Sequence, residues 1–366
     1  MVGFLFIIIY HLLLLYIGWN GWIWLKTTWG ETNRIKYMYV VALLLLAYSF
    51  FLGRWLDESL ILTMITALWL ALFFFLILLL PLANLTVAIA RFICISKEKA
   101  VKWTGFATLF VIMSLLAYGV FNAYSPVVRS YEINIPKKVE GKQRLKIIMA
   151  SDTHFGALSG AAHAKNLVEQ INSLEPDLVL FPGDIIDDDV HQFLKKDIPH
   201  ILEQIKAPVY ASLGNHDRLE GNVDLITILQ DSGMNVLYDE TILLDEQFTL
   251  IGRKDRRDQP RAELAELMKK VDLSKPVILL DHQPYDLDIA QKNGVDLMVS
   301  GHTHRGQIAP AHWITQKMYE NDWGYLKKGQ LHTVVSSGYG FWGPPIRIGS
   351  RSEIVQIDVT FDPMKN

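Results

Sequence analysis

The sequence predicts two domains of different class joined end to end. An N-terminal α-helical membrane domain covers residues 1–123, and an α/β domain covers residues 145–366 after a connection at 124–144. Three observations carry this reading. Long uncharged runs crowd the first third of the chain, and short apolar runs alternate with amphipathic stretches in the rest. Asp, Asn and His then follow one short apolar run after another.

The whole chain has 366 residues, 51% of them hydrophobic and 20% charged. That is too apolar for an ordinary soluble protein and too polar for a bundle made only of membrane helices. The formal net charge of -3 shows no basic excess, so nucleic acid is not an expected partner. A single cysteine, Cys94, excludes an intramolecular disulfide, a thiolate zinc site and a dithiol redox pair.

The membrane domain reads as about four helices, at approximately 3–25, 37–53, 60–82 and 104–123. No charged side chain occurs from Val2 to Leu25, and a spanning helix needs roughly 20 apolar residues. The start of the chain lacks the basic opening and small-residue cleavage site of a signal peptide, so the first helix reads as retained. The uncharged run from Ser59 to Ala90 is overlong and holds Pro81, which could kink a tilted helix or end it. Lys26, Arg34 and Lys36 mark the first connection as basic, as Arg91, Lys97, Lys99 and Lys102 mark the third. The positive-inside rule places both in the cytoplasm, and an even helix count then puts the α/β domain outside it. His11, inside the first span, reads as a neutral imidazole hydrogen-bonded within the bundle. Trp19, Trp22, Trp24 and Trp29 read as an interfacial belt.

In the second domain, Leu145–Ala150, Leu178–Phe181, Val209–Ser212, Val277–Leu280 and Leu297–Ser300 are continuous apolar runs, as expected of strands covered on both faces. Helical stretches are expected at Ala162–Leu174, Val190–Ile205, Val223–Ser232 and Arg261–Val271. Ile242–Ile251, His332–Ser336 and Ile354–Phe361 are strand-rich without intervening helices, which predicts a mixed sheet or a second sheet.

The chemistry lies after the strands. Asp152-Thr153-His154 follows the first, Gly183-Asp184 with Asp187 the second, and Gly214-Asn215-His216-Asp217 the third. Asp281-His282 and Gly301-His302-Thr303-His304 follow the next two. The carboxyl ends of strands in an open α/β fold share one edge, so these groups are expected to converge. Carboxylate, imidazole and amide oxygen without thiolate suit two divalent cations drawn from Mn, Fe, Zn, Co or Ni. A water shared by such a pair loses a proton and becomes a nucleophile, so no Ser or Cys nucleophile is needed.

The series DxH, GDxxD, GNHD, a lone His and GHxH resembles the calcineurin-like metallophosphoesterase superfamily over residues 145–361. Gln307, Gly338-Tyr339-Gly340 and Pro345-Ile346-Arg347 look most like its membrane-associated bacterial branch. The resemblance implies a pair of mixed β-sheets flanked by helices, with a dinuclear site at one edge. It implies that Asp152, His154 and His304 hold one metal, that Asn215, His282 and His302 hold the other, and that Asp184 bridges them. His216 would contact the phosphate and protonate the leaving alkoxide, with Asp217 orienting its imidazole. Asp187 is expected to support a ligand or a turn, and Asp188 and Asp189 to begin a solvated helix.

Arg305 stands where that branch has glycine, and either clamps an anionic group of the substrate or points to solvent. Arg253 and Lys254 read as surface charges. Phe341 and Trp342, with Trp313, Tyr319 and Trp323, either form an apolar rim for a lipid-linked phosphoester or pack beneath a long loop. The expected function is a membrane-anchored phosphoester hydrolase acting on a monoester, diester or pyrophosphate, with membrane lipids as neighbours. The competing class is a receptor or regulatory membrane protein that keeps the metal-binding fold.

Overall fold

A computed structural model describes residues 2–51, 60–140, 143–217 and 224–361. The chain divides into two compact units, one of residues 1–120 with 343–345, the other of residues 121–342 with 346–366.

The first unit is helical: α1 (Val2–Trp29), α2 (Asn33–Ala47), α3 (Leu60–Phe92) and most of α4 (Lys97–Tyr124). Among the described residues, α1, α3 and α4 are long and apolar enough to cross a membrane. α2 has 15 residues, about 22 Å at 1.5 Å each, and is too short to cross by itself. The rest of the expected second span reaches into residues 52–59, outside the described residues. α3 runs through Pro81 as one helix of 33 residues instead of ending there. Its core with α1 and α2 is built on Leu14, Ala47 and Trp69, and Tyr10 ties the three by donating to Ala47 O (2.7 Å) and accepting from the Trp69 indole (3.2 Å). His11 pairs with Ile7 O (2.7 Å) and the Tyr48 hydroxyl (2.8 Å), as the hydrogen-bonded reading requires. Trp24 is no simple belt residue, because its indole donates to Lys102 O and lies edge-on to Phe106.

The second unit holds two six-stranded mixed sheets. The first runs in the order β1 (Val127–Ile135), β12 (Glu353–Phe361), β2 (Arg144–Met149), β3 (Leu178–Pro182), β4 (Val209–Ser212), β5 (Met234–Val236). Every pair in it is parallel except β12 with β2. The second runs in the order β10 (Gly324–Lys328), β11 (Leu331–Val335), β9 (Leu297–Ser300), β8 (Val277–Leu280), β7 (Phe248–Gly252), β6 (Glu240–Leu244), with antiparallel pairs only at its edges.

Strand periodicity explains how the layers close. Side chains alternate between faces, so Ile147, Leu178, Leu180, Ile278 and Leu280 fill the layer between the sheets. Ile148, Val179 and Phe181 face the opposite way, into a core covered by α5 (Ala161–Ser173), α6 (Val190–Lys195), α7 (Ile198–Leu202) and α8 (Leu225–Asp231). Val277 and Leu279 face a third core beneath α9 (Leu264–Leu267) and α10 (Leu287–Lys292). Each buried aliphatic side chain contributes roughly 1.5–3 kcal/mol.

Several expectations are corrected. The connection at 124–144 contains β1, whose nine residues pair in parallel with β12. The helix expected at 190–205 is two short helices, because Asp197 takes a left-handed conformation (φ 55°) between them. The helix expected at 261–271 shrinks to the single turn of α9.

Candidate metal centre

Every chemistry-bearing turn leaves a strand at one edge of the two sheets, and several of its residues pay for their placement in backbone strain. Asp152 (φ 51°), His154 (φ 42°), Asp184 (φ 52°), His302 (φ 70°) and His304 (φ 47°) all lie in the left-handed region, which is costly for residues other than glycine and clusters at functional sites. Two glycines let the turns close on one another. A Cβ on Gly214 would overlap Asp184 Oδ1, and one on Gly301 would overlap Ser151 Oγ and Asp152 Oδ2.

The side chains gather into two groups, and a further triad of His154, Asp187 and His216 adjoins the first. Asp152, His154 and His304 bring one ligand atom each within 4.8 Å of one another, as do Asp184, His282 and His302. Between the groups, Asp184 Oδ2 lies 3.0 Å from His282 Nε2 and 3.8 Å from His154 Nε2. His154 Nε2 faces His304 Nε2 at 3.1 Å, and His304 Nε2 lies 3.6 Å from Asp152 Oδ1. Asn215 is buried beside them on the β4 turn, and its Oδ1 has no hydrogen-bond partner.

Supporting contacts fix these atoms. Asp152 Oδ1 accepts from the His302 amide (2.9 Å) and Oδ2 from Ser151 Oγ. Asp184 Oδ1 accepts from the His216 amide (2.8 Å). The Nδ1 of His282 sits 2.9 Å from Pro182 O, which makes Nδ1 the donor and turns Nε2 toward the centre. Arg347, fully buried, donates to Ser337 O and Gly340 O (2.6 Å each) and lies 3.2 Å from His304 Nδ1.

Divalent cations fit this donor set. Asn215 Oδ1 is a buried acceptor without a hydrogen-bond partner, a costly state that coordination would relieve. Burial pushes the His302 imidazole down to about 4 and the His304 imidazole well below its ordinary value, so both are in the neutral, ligating form. Burial would lower His282 too, but the Asp184 carboxylate outweighs it and lifts the imidazole to about 10. Burial would raise Asp184, yet His282 and His154 hold its carboxyl well below the usual range. The strong Asp184–His282 attraction marks where a cation would replace a proton.

His216 is half-buried beside this centre. Its ring lies 5.0 Å from that of His154, and its Nδ1 is 3.1 Å from Asp188 Oδ1. Asp217 does not orient it. The Asp217 carboxylate instead accepts from the amides of Ile185 (2.8 Å), Ile186 (2.9 Å) and Gly214 (2.8 Å), locking the β3 and β4 turns together. Asp188 therefore belongs to the site and is not merely a solvated helix start, while Asp189 caps α6 by accepting from the His191 amide. Asp187 supports a ligand, with Oδ1 3.4 Å from His154 Nδ1.

The Arg305 guanidinium does not point freely to solvent but stacks on Trp323 at 3.8 Å. Arg253 is buried against Asp281 (3.1 Å), not a surface charge. Phe341 is no rim residue, because it is buried and packs edge-on to Tyr124 at 5.2 Å. Trp342 is exposed, its ring 6.2 Å from that of His216. Sequence reasoning missed Ser151 and Arg347 as supports, although Arg347 closes a motif already singled out.

Comparisons with known proteins agree with this geometry. The sequence model of the calcineurin-like phosphoesterase family matches residues 145–306. An uncharacterized metallophosphoesterase of Helicobacter pylori (strain J99) is 31% identical over 270 residues, which cover 72% of this chain and 72% of that protein. A Danio rerio transmembrane protein with metallophosphoesterase domain is 30% identical over 269 residues, 68% of this chain and 61% of its own length. An uncharacterized metallophosphoesterase of Aquifex aeolicus is 30% identical over 262 residues, 69% of this chain and 98% of its own length.

Proposed function

Since this chain belongs to the calcineurin-like phosphoesterase family, we propose that it is a membrane-anchored, dinuclear-metal-dependent hydrolase of a phosphomonoester, phosphodiester or pyrophosphate carried by a membrane or envelope component. The observation that supports this most is the convergence of Asp152, His154, Asp184, Asn215, His282, His302 and His304, from the ends of five strands, with the buried Asn215 Oδ1 left unpartnered. Asp152, His154 and His304 would hold one cation and Asn215, His282 and His302 the other, with Asp184 between them. Bound there, divalent cations would acidify water and offset the charge of the phosphoryl group.

The remaining work falls to the protein. His216 stands at the edge of the centre, where it can bind the phosphoryl oxygen and give a proton to the departing oxygen. Asp188 Oδ1 lies 3.1 Å from the other ring nitrogen, on the side away from that edge. The test is hydrolysis of bis-p-nitrophenyl phosphate with added Mn by the full chain in detergent. Asp184→Asn and His154→Ala should each lose more than about a hundredfold in kcat/KM. Equal rates from all three proteins would overturn the hydrolase reading and favour a metal-binding membrane protein without turnover.

We propose further that the catalytic unit faces away from the cytoplasm, as the basic first and third connections imply when α2 counts as part of a crossing. Cys94, exposed in the third connection, is a native reporter. A membrane-impermeant maleimide should leave Cys94 unlabelled in intact cells yet label a Cys placed at Lys292. The reverse pattern would overturn this orientation.

A further inference from the structure

The exposed indole beside His216 stands out from the other aromatics of the catalytic unit, most of which are packed against neighbours. Trp342 is 58% exposed, yet its backbone is held at both polar groups. The Gln307 amide donates to Trp342 O and accepts from Trp342 N, each at 2.9 Å. Gln307 is itself 8% exposed and lies three residues beyond His304. On the other side, Phe341 is fixed in the core against Tyr124 and His163. A large apolar surface is thus held rigidly in water, tilted 49° to the His216 ring at a centroid distance of 6.2 Å. Folding gains little from an aromatic left so exposed, whereas a preorganised platform costs a ligand little ordering entropy.

We propose that Trp342 is a specificity-determining residue that packs against the leaving group, and that the preferred substrate is a phosphoester whose alcohol carries an apolar face. The inference rests on the reading of His216 as proton donor to the departing oxygen: whatever is bonded to that oxygen lies next to the imidazole, and the indole is the apolar surface that flanks it. An aromatic ring and a hydrocarbon chain both satisfy this chemistry, and the substrates below separate them. Gln307 is a positioning residue that holds the indole in place.

The experiment measures kcat/KM of the full chain in detergent with Mn on 1-naphthyl phosphate, hexyl phosphate and glycerol 3-phosphate. In Trp342→Ala the ratio of naphthyl to glycerol values should fall about tenfold, the scale of one good aromatic contact. Trp342→Phe should keep that ratio within about threefold of the parent. Gln307→Leu should lower the ratio in the same direction as Trp342→Ala. A parallel fall in the hexyl ratio marks a chain as well as a ring; a fall for naphthyl alone marks a flat leaving group. Unchanged ratios in Trp342→Ala with an active parent would overturn the inference and leave the hydrolase reading standing. A parent inactive on all three substrates would remove both.

Discussion

Asp217 separates the sequence-based role from the structural one. Beside His216 in the chain, it reads as the carboxylate that orients the imidazole; in the fold it accepts three backbone hydrogen bonds, from Ile185, Ile186 and Gly214. Asp217→Ala strands three buried donors, each costing about 1–3 kcal/mol when unsatisfied. Allowing for relaxation and non-additivity, the loss should be about 4 kcal/mol. For a unit of this size 1 kcal/mol moves the melting point by about 2–4 °C, so a fall of about 12 °C is expected. Asp217→Asn keeps the acceptor that serves Ile185 and Ile186 but sets an amide donor against the Gly214 N–H, so about half that fall is expected. The assay is thermal unfolding of the full chain in detergent, followed by tryptophan fluorescence with metal chelated so that metal affinity does not contribute. An unchanged melting point in Asp217→Ala, with an altered pH profile of hydrolysis, would refute the reasoning and restore the orienting role.

Three further outcomes follow from the same structure. His163 is buried against Tyr339, and burial pushes its imidazole down to about 4; an unfolded imidazole titrates near 6.5. The unfolded chain therefore binds a proton that the folded chain refuses, so stability is full above about pH 6.5 and falls by about 3 kcal/mol on the way to pH 4. Melting curves of His163→Phe should lack that part of the slope; an identical slope would contradict it. Ile147, fully buried between the two sheets, should cost about 2–5 kcal/mol on replacement by Ala, and a melting point within 2 °C or so of the parent would count against the sandwich core. Chelation should lower the melting point of the catalytic unit and added Mn restore it, by about 2.7 kcal/mol at a hundred times Kd. His304→Ala should blunt that response, and a full response would place the ion elsewhere.

How much of this was legible in the sequence follows from burial. β2, β3, β4, β8 and β9 are covered on both faces, so each reads as an apolar run that ends abruptly in polar turn residues, and the groups proposed to hold metal are those turn residues. β1 was hidden because its first six residues alternate half-buried with exposed, which resembles a polar connection until β12 pairs with it. Position in three dimensions was harder to read than chemistry. Asp188 rather than Asp217 stands against His216, because the Asp217 carboxylate is turned into the fold toward the amides of Ile185, Ile186 and Gly214. Phe341 and Trp342 are adjacent, yet one enters the core and the other stays in water. Arg253 read as a charge for the surface and Arg347 as the end of a motif, but buried carboxylate and carbonyl partners take both inside.

The central claim is that seven side chains from five strand ends hold a pair of cations. Anomalous diffraction from crystals of the full chain grown with Mn tests it most directly. Two peaks roughly 3.5–4 Å apart, one within coordination distance of Asp152, His154 and His304 and the other of Asn215, His282 and His302, with Asp184 touching both, are the predicted result. No peak at this edge at saturating Mn, or a lone peak away from Asp184, would contradict it.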